Sequence, residues 1–208
     1  MTEDEPQTDA ETEKEPKTGA KDTSESQATS QLDLGDFKVL IVEDFPFIAA
    51  LVATCLREMG VGKVVTAEHG KTALTKIQSM NQFENDNNID VVILDWLMPE
   101  MDGRQLLKAI RTHKSDSIRF LPVIVCSAYT SETLVKESRD LGANEVVVKP
   151  ISAGELARRI QYVINNPRPY VKNQSFFGPD RRRQKRPFEG KDKRVNKPQD
   201  IKNNHEQN

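Results

Sequence analysis

Apolar runs and amphipathic segments alternate along the chain from Phe37 to Ile164. Short apolar runs bounded by turn residues are typical of buried strands, and apolar residues recurring every three to four positions are typical of helices. Five runs predict strands, at 37–42, 63–67, 91–94, 121–128 and 145–150. A helical pattern follows each of these strands. The pattern predicts an α/β fold, a five-stranded parallel sheet with alternating helices on both faces in a flavodoxin-like arrangement.

Several predicted helices carry recognisable start and stop signals. Pro46 suits a first helical turn, and Gly60 ends that helix. Asp102 is placed to cap the third helix. Ser152 and Glu155 have the spacing of a capping box at the start of the last helix. These signals support the helix positions independently of the apolar pattern.

Charge divides the chain into three parts, although the net charge is only −2. Residues 1–36 contain 11 acidic and 3 basic residues, whereas residues 167–208 contain 12 basic and 5 acidic residues. Residues 37–166 are nearly balanced. Both flanks have few aliphatic residues and cannot bury enough apolar area to offset the entropy of ordering. We therefore predict one folded domain, 37–166, between a disordered acidic tail and a mostly disordered basic tail.

Cysteine usage and hydropathy indicate the compartment. Cys55 and Cys126 are far apart and match no metal or redox spacing, which favours reduced, buried thiols. No stretch is long enough to cross a bilayer, and the beginning of the chain lacks the pattern of a signal peptide. The sequence predicts a cytoplasmic protein.

Side chains that could take part in chemistry stand where the predicted strands end. Glu43 and Asp44 follow the first strand, Asp95 follows the third, Ser127 ends the fourth and Lys149 ends the fifth. Singly, each has an ordinary explanation as a helix cap or a solvated turn residue. Ligands of open parallel sheets bind at the carboxyl ends of the strands, so we expect these five side chains to converge. Three adjacent carboxylates repel one another, and Mg²⁺ with oxygen ligands would remove that penalty.

Four fragments in register carry a resemblance to a known family. They are VEDF (42–45), LDWLMPEMDG (94–103), CSA (126–128) and VKP (148–150). Over about residues 37–165 the chain resembles the receiver domain of two-component response regulators. The resemblance implies a Mg²⁺-dependent phosphoacceptor protein, not an enzyme, which receives its phosphoryl group from a sensor histidine kinase or a phosphotransfer protein.

The resemblance assigns roles to the acidic residues. Asp95 corresponds to the phosphoacceptor. Asp44 corresponds to a direct ligand of Mg²⁺, and Glu43 to a ligand acting largely through water. The backbone carbonyl of Leu97 corresponds to the remaining protein ligand, beside Asp95 itself.

The resemblance also assigns the residues around the phosphoryl group. Lys149 would neutralise one phosphoryl oxygen and Ser127 would hydrogen-bond another. Pro150 corresponds to a proline that follows the lysine through a cis peptide bond. Val146 stands where the family often has an aromatic residue that swings inward, so the usual rotamer switch is expected to be absent or altered. Tyr129 is a candidate to cover that surface instead, and an ordinary edge tyrosine is the alternative.

The basic tail contains one distinctive segment, SFFGPDRRR (175–183). A solvated charge run is one interpretation. The others are a docking peptide anchored by Phe176 and Phe177, an electrostatic patch for nucleic acid or an acidic membrane surface, or an intramolecular contact of the basic tail with the acidic head or with the acidic site itself.

Two functions remain open at the level of the sequence. The first is a single-domain response regulator that signals to a downstream protein through the face around the last two helices and the fifth strand. The second is a regulator whose basic tail binds nucleic acid while phosphorylation tunes that binding. A metal-dependent phosphatase is disfavoured, because Leu97 occupies the position where such enzymes resembling the haloacid dehalogenases carry a second acid.

Overall fold

A computed structural model describes residues 34–83, 87–128, 131–173 and 176–181, together with the backbone of 199–201. Five strands form the main sheet: β1 (Lys38–Val42), β2 (Lys63–Ala67), β3 (Val91–Asp95), β4 (Val123–Ser127) and β5 (Glu145–Val148). They are all parallel, in the order β2-β1-β3-β4-β5. This sheet confirms the predicted fold class.

Helices cover both faces of the sheet. They are α1 (Pro46–Glu58), α2 (Gly70–Met80), α3 (Gly103–Arg111), α4 (Asp116–Arg119), α5 (Glu132–Asp140) and α6 (Ala153–Asn165). Helices α1 and α6 pack on one face, and α2, α3, α4 and α5 contribute to the core on the other. The sequence pattern did not predict α4, because four residues are too few to show helical periodicity.

Burial on both faces explains the unbroken apolar strands. Val39 and Ile41 of β1 pack in the core beneath α1 and α6, while Leu40 and Val42 pack in the opposite core. Successive side chains of a strand point to opposite faces, so both sets must be apolar when helices cover both.

The predicted caps are present in part. The Asp102 carboxylate accepts a hydrogen bond from the Gln105 amide (2.8 Å), and the Gln105 side chain accepts one from the Asp102 amide (3.3 Å). Ser152 Oγ accepts from the Glu155 amide at 3.2 Å. The Glu155 carboxylate instead pairs with two arginines of α6, Arg158 and Arg159. Ion pairs along α6 thus occupy the carboxylate that the predicted capping box required.

The described structure continues beyond residue 166, into the segment where the sequence predicted a mostly disordered tail. Strands β6 (Tyr170–Lys172), β7 (Phe177–Pro179) and β8 (Gln199–Ile201) form an antiparallel sheet in the order β7-β6-β8. The Tyr170 hydroxyl donates to the Phe120 carbonyl at 2.8 Å. The rings of Phe120, Tyr170 and Phe177 lie with centroids 4.8–5.5 Å apart.

The proposed docking anchors therefore differ from the expectation. Phe176 is only 8% exposed, and the Phe177 ring packs on Phe120 and Tyr170 of the same chain. Aromatic rings bury large apolar areas, so a few of them hold a segment that has few aliphatic residues. Residues 1–33 and 182–198, where most of the two predicted tails lies, are outside the described residues.

Candidate functional site

The ends of β1 and β3 bring three carboxylates together. These strands are neighbours with Val42 opposite Leu94, so the residues that follow lie side by side. The Glu43 amide donates to the Ala67 carbonyl at 3.0 Å, which extends the contact between β1 and β2 to this residue. Glu43, Asp44 and Asp95 each offer a carboxylate oxygen within 4.8 Å of the others. The predicted convergence of these acids is thus a feature of the structure.

Lys149 bridges two of the carboxylates. Its Nζ donates to Glu43 Oε2 at 2.5 Å and to Asp95 Oδ2 at 2.8 Å. Burial lowers the pKa of Lys149, but the hydrogen bonds to Asp95 and Glu43 outweigh burial and raise it above its ordinary value. Lys149 therefore remains an ammonium and supplies a positive charge at this site.

Burial shifts the pKa of Glu43 in the direction opposite to that of Lys149. Burial raises the pKa of the Glu43 carboxyl, and the hydrogen bond from Lys149 offsets this effect only in part. One ammonium does not balance three neighbouring carboxylates, and a further positive charge at this site would be stabilising.

The donor set fits Mg²⁺. Asp44 Oδ1 is buried and, among the described residues, has no hydrogen-bond partner. A buried carboxylate oxygen without a partner carries a large desolvation cost, which a coordinated cation removes. A site of a few carboxylates, completed by water and phosphate, is the kind of site that Mg²⁺ favours.

Strand β4 places Ser127 beside this group. Ser127 is 1% exposed and ends β4, next to Cys126, which lies opposite Asp95 in the sheet register. The Lys149 amide donates to the Ser127 carbonyl at 2.8 Å, so the backbones that carry these two residues are tied together. Ser127 therefore ends β4 and Lys149 follows β5, and these two strands lie on the same side of the Asp95 strand.

Four further residues were singled out in the sequence: Leu97, Pro150, Val146 and Tyr129. Leu97 is 55% exposed, and its amide lies 3.4 Å from Asp95 Oδ1. The Lys149–Pro150 peptide bond is cis, as the resemblance implies. Val146 is half-buried and packs against the core on the side of α2 and α3. Tyr129 lies outside the described residues, so its predicted role stays a prediction.

The sequence analysis missed the position of Gly103. A Cβ atom at this residue would lie 2.4 Å from the Asp95 carbonyl and 2.9 Å from Trp96 Cα. Its amide donates to the Trp96 carbonyl at 3.1 Å. Only glycine allows the start of α3 to approach the Asp95 backbone this closely. The glycine is visible in the sequence, but its contact depends on the path of the loop.

Comparison with known proteins identifies a matching family and several similar proteins. The family described as "Response regulator receiver domain" matches residues 39–161. The chemotaxis protein CheY of Pseudomonas aeruginosa is 32% identical over 126 residues, which cover 61% of this chain and 94% of that protein. CheY-3 of Vibrio cholerae is 31% identical over 128 residues, covering 62% of this chain and 92% of the relative.

Solved structures of CheY proteins are also similar to this chain. Vibrio cholerae CheY4 superposes with a TM-score of 0.54 at 32% identity, covering 61% of this chain and 98% of that one. The CheX-CheY-BeF₃-Mg²⁺ complex of Borrelia burgdorferi matches with a TM-score of 0.55 at 32% identity, covering 62% and 89%. The chain belongs to the response regulator receiver domain family, the phosphoryl-accepting domains of two-component signalling. Within the part of the chain described here, no helix is long and apolar enough to span a bilayer.

Proposed function

We propose that this protein is a single-domain response regulator that accepts a phosphoryl group on Asp95 from a histidine kinase or a phosphotransfer protein, with Mg²⁺ as its cofactor. The observation that carries the proposal is the meeting of Glu43, Asp44 and Asp95 within 4.8 Å, with Lys149 bonded to two of them. A nucleophilic carboxylate beside a metal site and a fixed ammonium is the equipment that phosphoryl transfer requires.

Each residue has a distinct part in the transfer. A carboxylate oxygen of Asp95 attacks the phosphorus, and the bond to the donor histidine nitrogen breaks while that nitrogen keeps the electron pair. Glu43, Asp44, Asp95 and the Leu97 carbonyl would hold Mg²⁺, and the bound ion would supply positive charge to offset the negative charge of the carboxylates and the phosphoryl group. Lys149 shifts from the Asp95 carboxylate to a phosphoryl oxygen, and the Ser127 hydroxyl donates to another. Catalysis is mainly positioning and charge neutralisation, so the protein acts as a phosphoacceptor rather than as an enzyme on a separate substrate.

The proposed output is contact with a downstream protein through the surface of α5, β5 and α6. Val148 of β5 is 39% exposed and Tyr162 of α6 is 43% exposed, and both are large apolar side chains. Tyrosine is enriched at protein interfaces. Nucleic-acid binding through the basic tail stays a prediction, because residues 182–198 lie outside the described residues. A cytoplasmic location also stays a prediction.

Trp96 provides a direct test, since it follows Asp95 and is the single tryptophan of the chain. We expect its fluorescence to change on titration with Mg²⁺ and to change further on adding beryllofluoride. Asp95→Asn should abolish the second change, whereas Asp36→Asn, an exposed acid before β1, should leave both intact. Asp44→Asn should weaken Mg²⁺ binding by about ten-fold or more, as expected for losing a charged ligand.

The covalent step needs its own measurement. Acetyl phosphate with Mg²⁺ should add one phosphoryl group to the intact protein, detected by mass spectrometry and absent from Asp95→Asn. A folded wild-type protein that shows no response to Mg²⁺, beryllofluoride or acetyl phosphate would contradict the proposal.

A further inference from the structure

The loop that carries the Leu97 carbonyl runs from Trp96 to Gly103 and is fixed at both ends. The Trp96 amide donates to the Cys126 carbonyl at 3.1 Å, which attaches the start of the loop to β4. The Gly103 amide donates to the Trp96 carbonyl, also at 3.1 Å, which closes the loop on itself. A displacement inside the loop therefore cannot be absorbed at its ends and must be taken up by residues 97–101.

The start of α2 touches this loop from outside. Gly70 is buried at the first position of α2, and its amide donates to the Met101 carbonyl at 3.1 Å. A Cβ atom on Gly70 would lie 2.5 Å from the same carbonyl oxygen and 2.8 Å from Met101 Cγ. Glycine is the residue that allows two backbones to meet this closely. Gly70 is therefore the point at which α2 sets the position of Met101.

The turn inside the loop is constrained as well. Glu100 has a φ of +60°, in the left-handed region that residues other than glycine seldom adopt. Such a conformation persists only where the surrounding structure holds it. Met98 and Met101, on either side of Glu100, both pack against the core that α2 and α3 cover. Residues 97–101 consequently have little freedom to move.

A fixed carbonyl matters more for a small cation than for a large one. Mg²⁺ requires nearly octahedral oxygen ligands at about 2.0–2.1 Å, whereas Ca²⁺ accepts ligands at about 2.3–2.6 Å in a flexible arrangement. A loop displaced outward by about 0.5 Å would lose Mg²⁺ but would still reach Ca²⁺. Selectivity between the two cations thus depends on how tightly the ligands are held.

We propose that the contact of Gly70 with Met101 positions the Leu97 carbonyl and thereby sets the preference of the acidic site for Mg²⁺ over Ca²⁺. The inference rests on the proposed function, in which that carbonyl is a metal ligand. Gly70 acts through the loop and not on the cation itself, so it is a positioning residue.

The ratio of the two dissociation constants tests this role. Mg²⁺ and Ca²⁺ are titrated separately into the full chain with Trp96 fluorescence as the signal, and Ca²⁺ is also titrated against bound Mg²⁺. For Gly70→Ala we expect Mg²⁺ binding to weaken by about ten-fold or more, as for other residues that orient a metal ligand. Ca²⁺ binding should weaken by less than about three-fold, because its longer bonds tolerate the displacement. Gly154→Ala is the matched control, since a Cβ in this first turn of α6 meets nothing within 4 Å, and both constants should stay unchanged.

Glu100→Gly separates positioning from stability. Glycine adopts a φ of +60° without strain, so the urea midpoint should stay close to that of the wild type. The loop nevertheless becomes more flexible, and the preference for Mg²⁺ over Ca²⁺ should fall by about three-fold or more. Loss of the Glu100 charge affects both divalent cations alike and cancels in the ratio. This variant decides the proposal if Gly70→Ala does not unfold cooperatively.

The outcomes separate this inference from the proposed function. Equal weakening of Mg²⁺ and Ca²⁺ binding in the two variants would show that the contact supports the fold without selecting the cation, and would overturn the proposal. An unchanged Mg²⁺ constant in both variants would overturn it as well. A wild-type protein that does not respond to Mg²⁺ contradicts the proposed function and this inference with it. A wild-type protein that binds Mg²⁺, with variants that keep its preference, contradicts this inference alone.

Discussion

At the residue scale, the acidic site is organised by Lys149. Its ammonium bonds Glu43 at 2.5 Å and Asp95 at 2.8 Å, which joins the ends of β1, β3 and β5 through one side chain. Both bonds favour the charged form of lysine and raise its pKa despite burial. The side chain that would meet a phosphoryl group is therefore held at Asp95 before any phosphoryl group arrives.

Gly103 sets the distance between α3 and Asp95. We expect Gly103→Ala to lower the free energy of unfolding by about 1–3 kcal/mol, because its Cβ would lie 2.4 Å from the Asp95 carbonyl. Urea denaturation followed by circular dichroism measures the change. Gly154→Ala is the control, since a Cβ there meets nothing within 4 Å, and helix propensity predicts stabilisation of up to about 1 kcal/mol. Equal effects of the two substitutions would refute the steric argument.

The two cysteines should differ in reactivity. Burial raises the pKa of Cys126 to about 12, so this thiol stays protonated and inaccessible, whereas Cys55 is half-buried. With Ellman's reagent at pH 8 we expect one rapidly reacting thiol in the native protein and two in urea. Cys55→Ser should remove the native reaction and Cys126→Ser should not. Rapid native reaction of the Cys55→Ser protein would show that the end of β4 is accessible.

At the element scale, a buried arginine connects α3 to the C-terminal strands. The Arg111 guanidinium donates to the carbonyls of Gly142 and Leu121 at 2.9 and 2.8 Å and to Asn144 Oδ1 at 2.9 Å. It also lies 5.5 Å from the centroid of the Tyr170 ring. Burial lowers the pKa of Arg111, and the interaction with Tyr170 opposes that effect. The α5–β5 loop and β6 are thereby attached to the same side chain.

Phe177 is expected to hold the β6–β7 pair on the domain. Phe177→Ala should cost about 2–4 kcal/mol of unfolding free energy, because its ring packs on Phe120 and Tyr170 and beneath the Arg119 guanidinium. Trypsin should then cut faster after Lys172. Phe47→Ala, at a residue that is 77% exposed, should change stability by less than about 0.5 kcal/mol. Unchanged cleavage and stability in Phe177→Ala would contradict this account of the packing.

At the scale of the whole molecule, the acidic site and the C-terminal segment lie at opposite ends of the strands β4 and β5. The acidic site lies at the carboxyl ends of the strands, and the C-terminal segment packs at Phe120 and Asn144, which precede β4 and β5. The family match ends at residue 161, so the C-terminal segment lies outside the matched receiver region.

Removing residues 167–208 tests the contribution of this segment to the whole protein. The truncation removes the buried rings of Tyr170 and Phe176 and uncovers Phe120. We expect a loss of about 3–5 kcal/mol in unfolding free energy, since each buried aromatic contributes about 1.5–3 kcal/mol. Mg²⁺ titration of Trp96 fluorescence should remain unchanged, because the acidic residues lie at the other end of the sheet. Unchanged stability would show that the chain folds equally well when it ends at residue 166.

The sequence predicted the β1–β5 framework well and the C-terminal segment poorly. The bounds of β2 agree with the prediction, and those of the other strands differ by one or two residues, in β4 at both ends. Tyr170, Phe176 and Phe177 form no periodic pattern, and the rings of Tyr170 and Phe177 pack on Phe120, about 50 residues earlier in the chain. Composition cannot reveal such a contact.

The sequence by itself determined the α/β order, the parallel sheet and the set of residues at the strand ends. Parallel strands joined by right-handed helical crossovers necessarily place their carboxyl ends at one edge, so a local pattern was sufficient to bring Glu43, Asp44, Asp95 and Lys149 together. Only the tertiary structure decided the double hydrogen bond of Lys149, the approach of Gly103 to the Asp95 carbonyl and the contact of Gly70 with Met101. These features depend on distances between residues far apart in the chain, which side-chain packing fixes and a linear pattern does not encode.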